Sequence, residues 1–343
     1  MCAVNNLYAN QVIDNIHAYD VNGLYGYVMD EKRLPYGQPY YDDKQSINDF
    51  SFIDFWCEFE SKDGYFPMLQ IKTIQYAGKE TKYLTHSDGI THLFLTEIDY
   101  DLMHKHYHVY NEYGNSYISF QTKENLLSPI IQENLRLKEY YSQEDTKDEY
   151  LRQVSKDNTN MLYGSFGLST ENDIVTPYME GDCIHMKHTI STKEGRYIPI
   201  ASAITSHARA ITINAIQHNH DIWIYSDTDS MYTTKPARGI PIHQTQSGKW
   251  KYETWDNCGE PFPHGKFLRQ KTYCLADENY NIYMKNDKYG NLITECKCAG
   301  MPESIKKTVK WDEFHLGANF GTRKQHCVVP GGVCLIDREY KIE

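Results

Sequence analysis

Apolar and polar positions along the chain change rhythm several times, and each change predicts an element. IHAYDVNGLYGYVM (16–29) begins as a short strand-like run and passes through Asp20 and Asn22 into helical spacing at Leu24, Tyr25 and Val28. Asn22 is the predicted N-cap, which leaves Asp20 at a strand end just before a helix. RLPYGQPYY (33–41) is turn-rich, and SFIDFWCEFE (51–60) alternates with period two, the pattern of a half-buried strand. GYFPMLQI, HLFLTEI and SYISFQ continue strand and turn signals to about residue 120, with a helix predicted near 99–107. From 124 to 164 the pattern is helical in two segments, and Gly164 is the predicted stop. Residues 165–197 read as turn-rich with short β-prone pieces, and 197–219 as a long helix lined by small residues. IWIYSDTDSMYTT then predicts an antiparallel hairpin of 222–225 with 230–234. Strands are predicted in 265–275 and 281–285, a helix with a loop in 302–317, and a terminal hairpin around Gly331-Gly332. No internal repeat interrupts this order.

A chain of 343 residues is long enough to bury a sizeable core and still divide around a cleft. No stretch approaches 18 apolar residues and the first ten lack a signal-peptide pattern, so the expectation is a soluble, unsecreted protein with no membrane partner. Nine cysteines without a CxxC pair point to free thiols rather than a zinc site. The net charge of −11 argues against a nucleic-acid partner, because phosphates are usually met by a basic surface. That charge is uneven, however. Residues 265–343 carry 13 Lys+Arg against 10 Asp+Glu, a balance of +3 that leaves −14 on residues 1–264. The C-terminal quarter is therefore the candidate phosphate-facing surface. The 29 tyrosines suit base stacking, but read first as β-sheet fillers.

On extended backbone Asp227 and Asp229 point to the same side, and two such carboxylates repel unless a cation lies near them. A solvated acidic turn explains the pair as simply. The apolar flanks Ile222, Trp223, Ile224 and Met231 imply a buried hairpin, which favours the metal. A hard cation such as Mg2+ takes carboxylates, water and substrate phosphates, so a further carboxylate is expected. Asp20 is the candidate, completing a two-metal site. In the second helix of 124–164, Lys156, Asn160 and Tyr163 fall at i, i+4 and i+7 and share one face. A core face would not choose Lys and Asn.

DVNGLY, KDNTNMLYG, TSHAR, YSDTDS and KTY, in that order, resemble the motifs of family B DNA polymerases, most closely the protein-primed branch of phages and linear plasmids. LRQKTY, KCAGMPESIKK and VPGGVCLID extend the resemblance toward the C-terminus. It implies an α+β right-hand polymerase fold with an antiparallel-sheet palm, short helical fingers, a small thumb and two family-specific insertions. The implied boundaries are palm 1–31, a terminal-protein-region-like insertion 32–131, fingers 132–164, a second such insertion 165–198, palm 199–298 and thumb 299–343. It implies Asp20 and Asp229 as metal-binding carboxylates with the Val21 carbonyl as a further ligand, and Asp227 as a supporting acid. Tyr25 resembles the steric gate against a 2′-hydroxyl. Lys156, Asn160 and Tyr163 resemble the nucleotide-binding face, Thr205 and Arg209 the template-contacting pair, and Lys271 and Tyr273 the primer-terminus motif.

The activity so implied is template-directed DNA synthesis from dNTPs on a primer hydroxyl or a protein hydroxyl, with two Mg2+ ions that Mn2+ replaces. Primer-template DNA, dNTPs and a terminal protein are the implied partners, for a monomer in the bacterial host cytoplasm. Only 19 residues precede Asp20, so this chain is expected to carry no proofreading exonuclease. Three positions depart from the branch pattern. Gly23 stands where Ser is common, Ser165 where Lys is usual, and Glu144 where an ungapped match expects a triphosphate-binding Lys that Lys138 or Lys147 replaces only through a shift. A catalytically impaired remnant that binds DNA or terminal protein therefore stays open. So does a DxD glycosyltransferase, which explains Asp227 and Asp229 but gives DVNGLY no purpose.

Overall fold

A computed structural model of the chain describes residues 2–44, 46, 48–72, 81–168, 171–192, 196–254, 259–286, 292–329 and 332–342. Its centre is an antiparallel sheet in the order Cys2–Val4, Trp223–Asp227, Ser230–Thr233, Val12–Val21, Phe262–Arg269, Thr272–Ala276 and Cys296–Cys298. Val12–Val21 is the pivot. Its C-terminal half pairs with Ser230–Thr233 on one side and Trp250–Glu253 on the other, while its N-terminal half pairs with Phe262–Arg269.

Side chains alternate across this strand, so Tyr19 and Val21 face one layer while Ile16, Ala18 and Asp20 face the other. The first layer is apolar and covered by helices α1 (Leu24–Glu31) and α5 (Ile198–His218), through Leu24, Val28, Met29, Ile204, Ala208 and Ile213. The second is aromatic: Tyr225, Tyr232, Phe267 and Tyr273 pack with ring centroids 5.0–5.7 Å apart around Ile16 and Ala18. Asp20 thus extends from the end of an aromatic face.

A second, four-stranded antiparallel sheet has the order Tyr40–Asp42, Tyr107–Phe120, Phe50–Ser61, Thr91–Thr96, with α2 (Glu97–His106) between Thr91–Thr96 and Tyr107–Phe120. α3 (Ser128–Tyr140) and α4 (Glu149–Phe166) pack together as a helical hairpin. Glu171–Glu180 and Cys183–Thr192 make a long two-stranded hairpin, as do Asn319–Val329 and Gly332–Lys341. The turn 330–331 of the latter lies outside the described residues.

Several local expectations are corrected. Asn22 is not the cap of α1; Gly23 occupies that position in left-handed conformation with no side-chain cap. Asn22 instead binds the 243–249 loop, its side-chain amide donating to the His243 carbonyl at 2.8 Å and its N–H to the Lys249 carbonyl at 2.9 Å. Gly164 does not stop α4, which runs on to Phe166 and ends against Gly167. Beyond its own helix backbone, nothing lies within 4 Å of where a Cβ of Gly164 would stand, so that glycine costs only propensity. Residues 171–192 are two ten-residue strands rather than short pieces. Their side chains are mostly exposed, so no apolar alternation marks them. Of 302–317 only Glu303–Lys306 and the turn Trp311–Glu313 are helical.

Candidate active site

The hairpin read from IYSDTDSMYTT forms as expected, with Trp223–Asp227 paired to Ser230–Thr233. Thr228 and Asp229 make its two-residue connection, with Thr228 at φ 52°. The two acids therefore do not sit on one extended strand, yet both line the same cleft. Asp227 turns to Lys271, whose ammonium donates to both carboxylate oxygens at 2.9 and 2.7 Å. Asp229 stays beside Asp20: the Val21 N–H donates to the Asp229 carbonyl at 2.8 Å, and Ser230 stands opposite Asp20 in the ladder. Thr212 of α5 holds the tip from behind, donating to the Thr228 carbonyl at 2.8 Å.

Burial, then Asp229 and Glu253, push the Asp20 carboxyl up to about 7; Lys251 and Lys156 oppose the shift. Asp229 is raised by burial and by Asp227. Two half-buried carboxylates that resist joint ionisation would both be eased by a cation between them. Among the described residues no three His, Cys, Asp or Glu side chains converge tightly enough to hold a metal unaided. Two carboxylates with a neighbouring backbone carbonyl suit a hard divalent cation that keeps waters and takes substrate phosphates.

Around this pair lies a cleft of about 390 Å3 lined by Asp20, Asp229, Glu253, Lys271, Tyr273 and Lys297, among others. Tyr25 of α1 and Tyr163 of α4 stack with centroids 4.4 Å apart and planes 8° apart, joining the two helices. Burial and then Tyr163 and Asp229 push the Tyr25 hydroxyl up to about 12. Gly26 makes the helix crossing close, since a Cβ there would meet Thr159 Cγ2 at 3.1 Å. Lys156 and Asn160 on the same helix are exposed. Burial, then Lys156 and Arg152, lower the Lys138 ammonium, so α3 adds a cation beside that face while Glu144 lies in the connecting turn.

The remaining sequence candidates are more enclosed. Arg209 forms a two-pronged pair with Asp99 of α2, at 2.9 and 2.6 Å, and Thr96 and Ser206 hydroxyls complete the network. The Thr205 hydroxyl donates back to the Ala201 carbonyl at 2.9 Å. Tyr273 is buried with its hydroxyl 2.9 Å from that of Tyr232. Sequence reasoning missed Glu253, Lys285, Glu295 and Lys297 on the cleft wall, and Asp99 behind Arg209. Strand register places the first four there, and no motif or spacing in the chain encodes it.

Residues 1–243 match the family model of DNA polymerase type B, organellar and viral. The chain is 31% identical to the DNA polymerase of Bacillus phage phi29 over 99% of its own length, and 28% identical to that of Streptococcus phage Cp-1 over 97%. It spans about 60% of the length of the first and 57% of the second. Solved phi29 polymerase structures superpose over the whole chain, with TM-scores of 0.84 for an orthorhombic crystal form and 0.82 for a complex with primer-template DNA and incoming nucleotide substrates, covering 61% and 60% of those chains. The mixed α+β architecture with its large antiparallel sheet agrees with that likeness, and this chain belongs to the type B DNA polymerases of the organellar and viral family.

Proposed function

We propose that the chain carries out template-directed DNA synthesis, transferring a nucleotide from a dNTP to a primer 3′-hydroxyl or a protein hydroxyl. The observation that carries this reading is the juxtaposition of Asp20 and Asp229 on adjoining strands, with the Tyr25–Tyr163 stack and the polar face of α4 approaching from one side. The main sheet is the palm (1–31 and 199–298), α3 and α4 the fingers (132–164), and 299–343 the thumb. The sheet within 32–131 and the hairpin within 165–198 are the two insertions, and the first is assigned to a terminal protein.

In this reading Asp20, Asp229 and the Val21 carbonyl hold two Mg2+ ions, for which Mn2+ substitutes. The ions supply charge stabilisation for the attacking and leaving oxygens. Asp227 keeps the Lys271 ammonium at the cleft, where it steadies the primer terminus beside Tyr273. Lys156 receives the triphosphate, Asn160 belongs to the same nucleotide-binding face, Tyr163 lies against the nascent base pair, and Tyr25 closes the space a 2′-hydroxyl would need. Thr205 and Arg209 face the template, with Asp99 holding the guanidinium in place. The enzyme works as a monomer in the host cytoplasm.

Purified chain given primed template, dNTPs and Mg2+ is expected to extend the primer and to leave a mismatched 3′ end undegraded. Absence of extension with every divalent metal tried overturns the reading in favour of a DNA-binding remnant.

A further inference from the structure

Strand Cys296–Cys298 is the edge of the central sheet, and its ladder with Thr272–Ala276 sets Cys274 directly opposite Cys296, Tyr273 opposite Lys297 and Thr272 opposite Cys298. The Leu275 N–H donates to the Glu295 carbonyl at 3.3 Å and the Ala299 N–H to the Lys271 carbonyl at 3.0 Å. Antiparallel pairs alternate, so Lys271–Ala299, Tyr273–Lys297 and Leu275–Glu295 are the hydrogen-bonded pairs and Cys274–Cys296 falls at a non-hydrogen-bonded one. The Cys296 N–H accordingly turns to the Thr294 hydroxyl at 3.2 Å. At such a pair the Cα atoms stand about 4.5 Å apart with both side chains on one face, at the short end of the roughly 4.4–6.8 Å that a disulfide spans. Both thiols are free and buried, in the cluster that includes Leu268, Val309 and Trp311. Cys298 shares their face but is engaged elsewhere, its sulfur 3.0 Å from the Tyr340 hydroxyl.

We propose that Cys274 and Cys296 are a reversible redox pair, which hydrogen peroxide joins in a disulfide that reshapes the wall of the Asp20–Asp229 cleft. One thiolate attacks the peroxide, breaking its O–O bond and releasing hydroxide, which takes up a proton to become water. The second thiolate attacks the sulfenic sulfur so formed, makes the S–S bond and expels a second water. Two thiols and one H2O2 thus become one disulfide and two waters. Burial, then Cys298, push the Cys296 thiol up to about 12, and burial, then Cys296, raise that of Cys274, so the closed sheet is unreactive. An edge strand of three residues opens without unfolding the sheet, which gives peroxide its access. A bond made at short Cα spacing is strained, and strained disulfides are the readily reduced ones. The strain falls on the next pair, because Tyr273 and Lys297 lie one residue along and line the cleft from the opposite face.

The cross-link stands on geometry, while its effect on synthesis rests on the DNA-synthesis reading. The reduced full chain is treated with hydrogen peroxide, alkylated, digested without reductant and mapped by mass spectrometry, with primer extension measured before, after and again with dithiothreitol. A linked peptide joining Cys274 to Cys296 is expected, with extension falling several-fold and dithiothreitol restoring it. Mapping rather than thiol counting reads the result, because Cys327 and Cys334 also stand opposite each other in the terminal hairpin. Cys274→Ala and Cys296→Val are each expected to extend primers near the wild-type rate and to lose the peroxide response, and either suffices if the other fails to fold. Absence of the linked peptide when the exposed Cys183 is fully oxidised, or a peroxide response kept in the variants, overturns the redox pair. A link formed with extension unchanged overturns its effect on the wall. A wild-type chain that forms the link but extends no primer removes the DNA-synthesis reading and leaves the cross-link standing.

Discussion

On one flank of the Asp20–Asp229 pair, α4 buries only Ser155 along its eighteen residues and holds Lys156 and Asn160 in the open. On the other flank the wall is core: Tyr225, Tyr232 and Tyr273 are buried, and Lys271, Lys285 and Lys297 are each already paired with a carboxylate. The helical flank meets the rest through the Tyr25–Tyr163 stack, the close Gly26–Thr159 crossing and the half-buried Leu162 and Phe166, contacts that break and re-form at modest cost. The sheet flank is preorganised, so its cations need no ordering when a ligand arrives. A substrate that must enter and leave in every cycle fits the first, and a strand that stays while it slides fits the second.

The largest effect is expected where the flanks meet. Asp229→Ala removes one of two carboxylates facing the same space, and primer extension should fall by at least about a thousandfold, since a metal centre supplies several kcal/mol of transition-state stabilisation. Circular dichroism and DNA affinity should stay near wild type, because the turn keeps its backbone hydrogen bonds. Activity within tenfold of wild type would detach Asp229 from the chemistry.

The next pair of substitutions sets flank against flank. Lys156→Ala should raise the dNTP KM about 10- to 100-fold, the worth of a charge-assisted hydrogen bond, with primer-template affinity little changed. Lys271→Ala should do the reverse, weakening primer-terminus binding and leaving Asp227 beside Asp229 without its cation. The same kinetic signature from both variants would erase the distinction. Tyr25→Val probes the helical flank alone: it removes the ring that stacks on Tyr163, and ribonucleotide incorporation should rise while deoxynucleotide turnover falls less. Unchanged sugar discrimination would take Tyr25 out of the gate.

The sequence made one flank more legible than the other, for a physical reason. A helix brings residues i, i+4 and i+7 together by local geometry, so the face of Lys156, Asn160 and Tyr163 is readable from spacing alone. The hairpin through Asp227 was readable too, but not its tight connection, in which a left-handed Thr228 takes Asp229 out of the strand. The sheet flank is assembled by register between strands far apart in the chain: Trp250 opposite Val21, Lys297 opposite Tyr273. Period-two patterns carry no record of partner or offset, so Glu253 and Glu295 left no trace. Likewise the Arg209–Asp99 pair joins α5 to α2, 110 residues away.

The smallest effect tests how firmly α5, which backs both flanks, is held. His207 sits on α5 beside Lys32 and Asp99; burial, then Lys32, lower its imidazole to about 4, against the opposing pull of Asp99. The folded protein therefore keeps this ring neutral where the unfolded chain already accepts a proton. Between about pH 6.5 and pH 4 the unfolded state binds more protons, so stability falls as pH falls through that window and is unaffected above it. Discounted for the ring's partial exposure, the loss by pH 5 is about 1 kcal/mol, or about 2–3 °C in Tm. His207→Gln removes the titration without adding charge, so the fall in Tm from pH 7.5 to pH 5 should be smaller in the variant than in wild type. Other buried histidines contribute equally to both proteins and cancel in the difference. If the two curves stay parallel, the ring meets solvent freely and α5 is looser against Lys32 and Asp99 than its buried neighbours Ser206 and Ala208 imply.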